Sequence, residues 1–459
     1  MLPVVAIVGR PNVGKSTLFN VLTRTRDAIV ADVPGVTRDR QYGYTRIGAV
    51  PAVVIDTGGL VDQSSGLDLP MRVQTEKALA EADRVIFLAD ARAGVTPQDR
   101  FVAQTLRRAG RQVTLAVNKA EGLDPDIVSA DFFQLGFGQP LVIAASHGQG
   151  CRELIDAALA GCDPGGAPDD ARGAIRVAVI GRPNVGKSTL VNRLLGEERV
   201  ITSEVAGTTR DAILVPFERD GRQFLLVDTA GVRRRAKVED PVERASVART
   251  LQAIAESHVV VMTLDAHDLI GEQDASVLGQ ALERGRVILI AVNKWDNIPM
   301  EQRDTIRAQL ALKLDFVPFA PVHFVSARHG TGVGELIRDV VRGFDSAMRE
   351  MSTPQLTKVL EQALEAHQPP LAKGHRIKLR YAHQGGRNPP RIVIHGGRTD
   401  AVPESYRRYL ANVFREAFKL FATPVAVEFR TDANPYVRLK AGKRRGRAAG
   451  TMPGRRRRG

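Results

Sequence analysis

The ten residues Gly9-Arg-Pro-Asn-Val-Gly-Lys-Ser-Thr-Leu18 recur without a change as Gly181 to Leu190, 172 positions later. An identical stretch at a fixed offset marks a duplicated module, and no other feature constrains the fold as strongly. Asp56-Thr-Gly-Gly59 returns as Asp228-Thr-Ala-Gly231, and Thr37-Arg-Asp39 as Thr209-Arg-Asp211, both at that same offset. Asn118-Lys119 returns as Asn293-Lys294 after 175 positions, and Ala144-Ala145 as Ser326-Ala327 after 182. Short insertions late in the second copy explain the drift. The repeated unit is therefore a domain of about 160 to 175 residues.

Within each copy, short β-branched runs alternate with helical patterns, which predicts an α/β fold with a mainly parallel sheet. The expected strands are 4–8, 53–55, 85–89, 114–117 and 141–143, then 175–180, 224–227, 259–264, 287–292 and 322–325. We place the first copy at 1–162, a Gly/Pro-bearing linker at 163–173 and the second copy at 174–351. Such a linker lets two domains rearrange. The order then changes to helix (355–366), hairpin (376–381 with 391–395), helix (404–418) and strand (425–429), a small α+β domain over 352–434. A basic tail, 435–459, follows and is expected to be disordered.

Net charge is +14, from 65 Lys plus Arg against 51 Asp plus Glu. Ten basic residues and no acid lie between Pro435 and Gly459, so most of the excess is the tail. After Tyr436 it has no aromatic ring, so it should meet nucleic-acid phosphate by charge alone. The chain is 43% hydrophobic and 25% charged and has no apolar run of roughly 20 residues, so a cytoplasmic protein without a membrane anchor is expected. Two cysteines, Cys151 and Cys162, and scattered histidines build neither a disulfide framework nor a zinc site.

The repeated decapeptide contains Gly-x-x-x-x-Gly-Lys-Ser after an apolar strand, the pattern whose backbone amides wrap phosphates at a helix N-terminus. The first loop is Gly9, Arg10, Pro11, Asn12, Val13, Gly14, Lys15, Ser16 and Thr17; the second is Gly181, Arg182, Pro183, Asn184, Val185, Gly186, Lys187, Ser188 and Thr189. Lys15 and Lys187 reach β- and γ-phosphates, and Ser16 and Ser188 bind Mg²⁺. Asp56-Thr57-Gly58-Gly59-Leu60 and Asp228-Thr229-Ala230-Gly231-Val232 follow strands, where Asp56 and Asp228 approach Mg²⁺ and a glycine amide meets the γ-phosphate. Asn293-Lys294-Trp295-Asp296 ends in a carboxylate able to accept both N1–H and the 2-amino group of guanine, a donor pair adenine lacks. The first copy reads Asn118-Lys119-Ala120-Glu121, one methylene longer, which predicts guanine specificity with altered affinity. Ala144-Ala145 and Ser326-Ala327 open small-residue loops that close over the base.

This set, in this order, resembles the translation-factor type of P-loop (Ras-like) GTPase. The duplication and the segment Tyr381-Ala-His-Gln-Gly-Gly-Arg-Asn-Pro-Pro390 narrow the resemblance to the Der (EngA) family of bacterial tandem GTPases. That resemblance implies two GTPase domains with a KH-like domain, a GTP/GDP cycle that rearranges them, and a role with rRNA in assembling the large ribosomal subunit. A monomer is expected. Where GTPases of the Ras type carry a water-positioning Gln, this chain has Leu60 and Val232. In similar GTPases the residue at Asn12 and Asn184 helps hold K⁺, and Thr37 and Thr209 bind Mg²⁺ when GTP is present. K⁺-stimulated hydrolysis follows, with Lys15, Asn12 and Thr37, and Lys187, Asn184 and Thr209, as its catalytic groups. The alternative is an RNA-binding scaffold whose GTPase domains switch without appreciable turnover.

Two features leave the RNA contact open. Arg233-Arg-Arg235 and Lys237 follow Val232 in the second copy, where the first has Val61 to Gly66 without a basic residue. The third domain lacks the Gly-x-x-Gly clamp of RNA-binding KH domains, although Arg376, Lys378, Arg380, Arg387 and Arg391 offer phosphate contacts.

Overall fold

The computed structural model describes residues 2–24, 29–31, 40–57, 78–162, 173–196, 214–227, 247–268, 270–371 and 375–431. They fall into two compact units, Met1–Asp345 and Ser346–Gly459. In the first copy β1 (Val4–Val8), β2 (Ile29–Ala31), β3 (Arg40–Tyr44), β4 (Val53–Asp56), β5 (Arg84–Asp90), β6 (Gln112–Asn118) and β7 (Leu141–Val142) form one sheet in the order β2-β3-β4-β1-β5-β6-β7. Every residue of β1 is buried, as expected of a central parallel strand covered on both faces. Helices α1 (Lys15–Thr23), α2 (Pro97–Ala109), α3 (Pro125–Ala130) and α4 (Cys151–Ala158) follow β1, β5, β6 and β7. The phosphate loop thus lies at the carboxyl end of the central strand, where open α/β sheets bind ligands.

The second copy repeats this plan. Strands β8 (Ile175–Ile180), β9 (Val215–Arg219), β10 (Arg222–Val227), β11 (Val259–Asp265), β12 (Val287–Asn293) and β13 (Val322–Phe324) are ordered β13-β12-β11-β8-β10-β9. Its helices are α5 (Lys187–Gly196), α6 (Val247–Glu256), α7 (Glu272–Glu283), α8 (Met300–Lys313) and α9 (Val333–Ala347).

Three antiparallel strands, β2, β3 and β9, were absent from the strands expected above. For β9 the signal was there: Asp220-Gly221 joins it to β10 with both residues at positive φ (49° and 74°), the two-residue turn that favours hairpins. Phe217 and Phe224 stack across that hairpin, ring centres 4.7 Å apart. For β3 the alternation of Tyr42 and Tyr44, both buried, is diluted by Arg40, Gln41 and Gly43.

The two copies also share a core that neither shows alone. Leu2, Val4, Tyr42, Tyr44, Val53 and Ile55 pack with Leu251 and Ile254 of α6 and Leu278 of α7. The Tyr44 hydroxyl donates to the Leu251 carbonyl at 2.5 Å, and the Arg284 guanidinium lies 3.6 Å from the Tyr44 ring centre. Gln252 donates to the Leu2 carbonyl at 2.5 Å, and Arg46 pairs with Glu283 at 2.7 Å.

In the second unit, α10 (Thr353–Ala366), β14 (Lys378–Gly386), β15 (Arg391–Gly397), α11 (Glu404–Ala417) and β16 (Ala426–Thr431) give the expected α-β-β-α-β order. The hairpin's first arm runs later than expected, because β14 carries irregularities that keep it paired with β15 as far as Gly386. Strand β16 joins β15 in parallel. Leu356, Leu360, Ile392, Ile394, Leu410 and Phe414 form its core. Among the described residues no helix is long and apolar enough to cross a membrane.

Candidate nucleotide-binding site

Each phosphate loop is closed by a glycine that no other residue could replace. Gly14 and Gly186 have φ of 98° and 95°, and a Cβ on either would overlap the side-chain amide of Asn118 or Asn293. Lys15 Nζ donates to the carbonyls of Gly9 (3.0 Å) and Arg10 (2.8 Å). Lys187 Nζ does the same to Gly181 (2.8 Å) and Arg182 (2.7 Å). Both ammonium groups therefore sit inside the curl of their own loop. Burial pushes the Lys15 amine down to about 8, against the pull of Asp56 and with help from Arg10.

Asn12 and Asn184 occupy the left-handed region, φ 64° and 65°, with their side chains exposed. Asn accepts that conformation more readily than most residues. Val13 and Val185 are buried beneath the loops. The Arg10 and Arg182 side chains turn aside. Arg10 lies 3.7 Å from Asp90 and 3.6 Å from Asp99, while Arg182 lies 2.7 Å from Asp268 and 2.9 Å from Asp274.

The Ser16 hydroxyl donates to Asp56 Oδ2 at 2.6 Å, and Asp56 is fully buried at the end of β4. Thr57 ties that strand end to β1 through the Ile7 carbonyl (2.7 Å). Hydroxyl and carboxylate oxygens, side by side next to a phosphate loop, suit Mg²⁺, which takes few protein oxygens and relies on phosphate and water for the rest. Thr37, Gly58, Gly59, Leu60, Thr209, Asp228, Thr229, Ala230, Gly231 and Val232 lie outside the described residues. So do Val61 to Gly66, Arg233 to Arg235, Lys237, the linker residues 163–172 and the basic tail.

On the base side, one buried asparagine joins three segments in each copy. Asn118 Nδ2 donates to the Val13 carbonyl at 2.8 Å, and its Oδ1 accepts from the Ala145 amide at 2.9 Å. Asn293 makes the matching bonds to Val185 and Ala327, both 2.9 Å. Lys119 and Lys294 follow at φ 65° and 63°. Lys119 Nζ reaches the Asn12 carbonyl (2.6 Å) and Asp90 (2.8 Å), and Lys294 Nζ reaches Asp265 (2.5 Å). Burial alone would raise the carboxyls of Asp90 and Asp265, but the lysine hydrogen bonds and nearby amides hold both below the usual range. Sequence reasoning missed these two aspartates. Their signal was Asp90-Ala91 returning as Asp265-Ala266 at the same 175-residue offset as the asparagines.

Next come the acids. The Ser146 hydroxyl donates to Glu121 Oε1 at 2.6 Å, and Arg92 Nη2 lies 3.6 Å from Glu121 Oε2. In the second copy Asp296 lies 3.5 Å from His329 Nε2 and has Ser326 beside it. The serine in each case holds its carboxyl below the usual range. Ala120 and Ala144 are buried, and Trp295 packs on Phe324 at 4.2 Å between ring centres. In the third domain Arg387 pairs with Glu350 and Arg391 with Glu428 (3.2 Å), whereas Arg376, Lys378 and Arg380 are exposed.

Comparison with known proteins bears on these sites directly. A family profile described as a 50S ribosome-binding GTPase matches residues 4–119 and 176–294, one match per copy. A second, described as the C-terminal KH-domain-like part of EngA bacterial GTPase enzymes, matches residues 350–430. Curated relatives called GTPase Der are similar along nearly the whole chain. That of Thioalkalivibrio sulfidiphilus is 56% identical, covering 97% of this chain and 96% of its own length. Those of Cupriavidus metallidurans and Hahella chejuensis are 53% and 51% identical, each over 96% of this chain, covering 100% and 93% of their own.

Proposed function

The chain belongs to the GTPase Der family of GTP-binding enzymes, and from that premise we propose that it is a K⁺-stimulated, Mg²⁺-dependent GTPase that helps assemble the large ribosomal subunit. The observation that carries the site assignment is the asparagine bridge. Asn118 and Asn293 each lock a base loop to a phosphate loop, so the ends of a nucleotide are met by one preorganised frame. Preorganised donors need no rearrangement as charge develops, and most electrostatic catalysis rests on that.

On this reading Lys15 and Lys187 exchange their loop carbonyls for β- and γ-phosphate oxygens. Glu121 and Asp296 accept from guanine N1–H and the 2-amino group. The amides of Ala145 and Ala327, already turned inward by the asparagines, leave their loops to close over the base edge. Ser16 and Asp56, with Thr37, would hold Mg²⁺ in the first copy, as Ser188, Thr209 and Asp228 would in the second, and its charge offsets that of the phosphates. Asn12 and Asn184, side chains exposed on each loop, would hold K⁺, which would supply positive charge beside the phosphates. Leu60 and Val232 give no water-positioning side chain, so positioning and charge carry the rate.

The nucleotide cycle would rearrange the GTPase domains and the KH-like domain on rRNA, with the basic tail adding salt-sensitive phosphate contacts. A cytoplasmic monomer fits this role. The test is GTP turnover by the purified chain in KCl and in NaCl at equal ionic strength, with ATP as control and with large-subunit particles added. Turnover of GTP alone, faster in K⁺ and insensitive to K⁺ once Asn12→Ala and Asn184→Ala are combined, with GDP binding retained, is the expected result. An unchanged K⁺ response in that double variant would remove the proposed role of the two asparagines.

A further inference from the structure

The two copies hold their base loops alike but carry the serine beside the following acid at different loop positions. The asparagine bonds agree within 0.1 Å, and Lys119 and Lys294 share one backbone conformation. In the first copy the closing loop reads Ala144-Ala145-Ser146; in the second it reads Ser326-Ala327-Arg328. The hydroxyl thus stands after the bonded alanine in one copy and before it in the other. Ser146 donates to Glu121 at 2.6 Å, and Ser326 stands beside Asp296, whose carboxyl it draws down.

A second group differs in the same way. Arg92, two residues after Asp90, faces Glu121 Oε2 at 3.6 Å. It is held in place by its amide on Asp90 (2.9 Å) and its Nε on the Lys119 carbonyl (3.3 Å). His267, in the matching place after Asp265, turns back to Asp265 at 3.1 Å.

We propose that Ser146, supported by Arg92, is the positioning residue that lets Glu121 select guanine in the first copy. Glu has one more side-chain torsion than Asp, and an unanchored carboxylate must lose that freedom when the base arrives. Ser146 fixes one oxygen and Arg92 draws the other. Each oxygen has a second lone pair, so the carboxylate can still accept N1–H and the 2-amino group together. Neither Ser146 nor Arg92 needs to touch the nucleotide. The inference rests on Glu121 and Asp296 being the base-selecting acids, and the experiment separates the two claims.

The test uses the full chain carrying Asp296→Asn, which removes the guanine acceptor pair from the second copy. Calorimetry with GDP should then report one strong site where the native chain has two; two unchanged sites would overturn the base-site reading itself. In that background Ser146→Ala should weaken GDP about tenfold, the worth of a hydrogen bond to a charged group. It should weaken IDP, which lacks the 2-amino group, by less, and Ser146→Thr should restore the GDP preference. Arg92→Ala should cost only about two- to threefold and less in high salt, since that ion pair is well exposed. With Glu121→Asp in place the carboxylate no longer reaches residue 146, so Ser146→Ala should change nothing further. Equal loss of GDP and IDP, an equal loss in the Glu121→Asp chain, or no loss at all would each overturn the positioning role.

Discussion

In the first copy Asn118 bonds Val13 and Ala145, Lys119 bonds Asp90, and Lys15 bonds Gly9 and Arg10; in the second, Asn293, Lys294 and Lys187 do the same to the matching residues. Around these shared bonds much else differs. Glu121 stands for Asp296, Arg92 for His267, Thr96 for Gly271, Cys151 for Val333 and Tyr44 for Pro216. The preserved asparagine bonds and loop-lysine bonds fix backbone, that of the phosphate loop and of the loops opened by Ala145 and Ala327, while the lysine–aspartate pair joins two side chains. The changed residues surround the acid that we propose selects guanine, cap a helix, fill a core or meet the other copy. Duplication kept what only one residue type can do at one position, and released what several can.

The strongest consequence is symmetry under mutation. Asn118→Ala and Asn293→Ala each remove two buried bonds and strand their partners, at about 1 to 3 kcal/mol apiece. Each variant should bind one equivalent of GDP about thirtyfold more weakly or worse, with the other equivalent retained. Calorimetric stoichiometry reads this directly. A severe loss from one substitution and a mild one from the other would mean that the two frames are not equivalent.

Tyr44 should show the opposite, an effect with no counterpart. The 172-residue offset places Pro216 at its position, on the edge strand β9, where a residue without an amide hydrogen is tolerated. Tyr44→Phe removes only the hydroxyl that meets Leu251 and should cost about 1 kcal/mol. The loss should show as a lower melting temperature of Met1–Asp345, with GDP stoichiometry unchanged. Helix α6 begins just after the segment 228–246, and β3 just after 32–39, so this clasp joins elements that adjoin the segments expected to sense nucleotide in both copies.

Most of this architecture could be read before any coordinates, because the features that specify it are local. Identical loops, Asp-x-x-Gly, Asn-Lys and β-branched runs each impose their chemistry within a few residues. Hidden features depended on pairing across distance. Strand β3 gains the partners of its buried Tyr42 and Tyr44 from α6 and α7, some two hundred residues on, and no periodicity records that. Asp90 and Asp265 looked like ordinary strand ends until Lys119 and Lys294 folded back on them. The turn Asp220-Gly221 was legible in the sequence, a two-residue hairpin signal just before the expected strand 224–227.

A smaller effect distinguishes the two helices that open after the base-closing loops, α4 at Cys151 and α9 at Val333. Burial, with Glu153 adding to it, pushes the Cys151 thiol from 9.0 up to about 11. The thiol form is therefore the stable one in the fold. Its contribution is fully present below about pH 9 and is lost as pH rises toward 11. Iodoacetamide at pH 8 should label one thiol per folded chain, at Cys162, and both after unfolding. Cys151→Val, which copies the second domain, should keep nucleotide binding and reduce the alkaline loss of stability. Labelling of Cys151 in the folded chain would show that the first copy opens there.

The least effect comes from a helix cap, and it reaches the phosphate loop. Thr96 caps α2: its Oγ1 accepts from the Asp99 amide (3.3 Å) and donates to Asp99 Oδ2 (2.6 Å), the oxygen that Arg10 Nε approaches at 3.6 Å. Gly271 starts α7 with no hydroxyl, and Arg182 Nε sits 2.9 Å from the matching Asp274 Oδ2. One carboxylate oxygen is shared between a cap hydroxyl and a loop arginine, so gaining the first should loosen the second. Gly271 has extended backbone angles (φ −91°, ψ 172°), and a Cβ there meets nothing closer than Asp274 Oδ2 at 3.9 Å. Gly271→Thr should therefore stabilise the second copy by a few tenths of a kcal/mol, as Thr96→Gly should weaken the first. In the Gly271→Thr chain, Arg182→Ala should cost less stability than it does in the native chain. If it costs the same, the arginine and the cap do not compete, and the tighter Arg182 contact has its origin in Asp268, which Arg182 also meets at 2.7 Å.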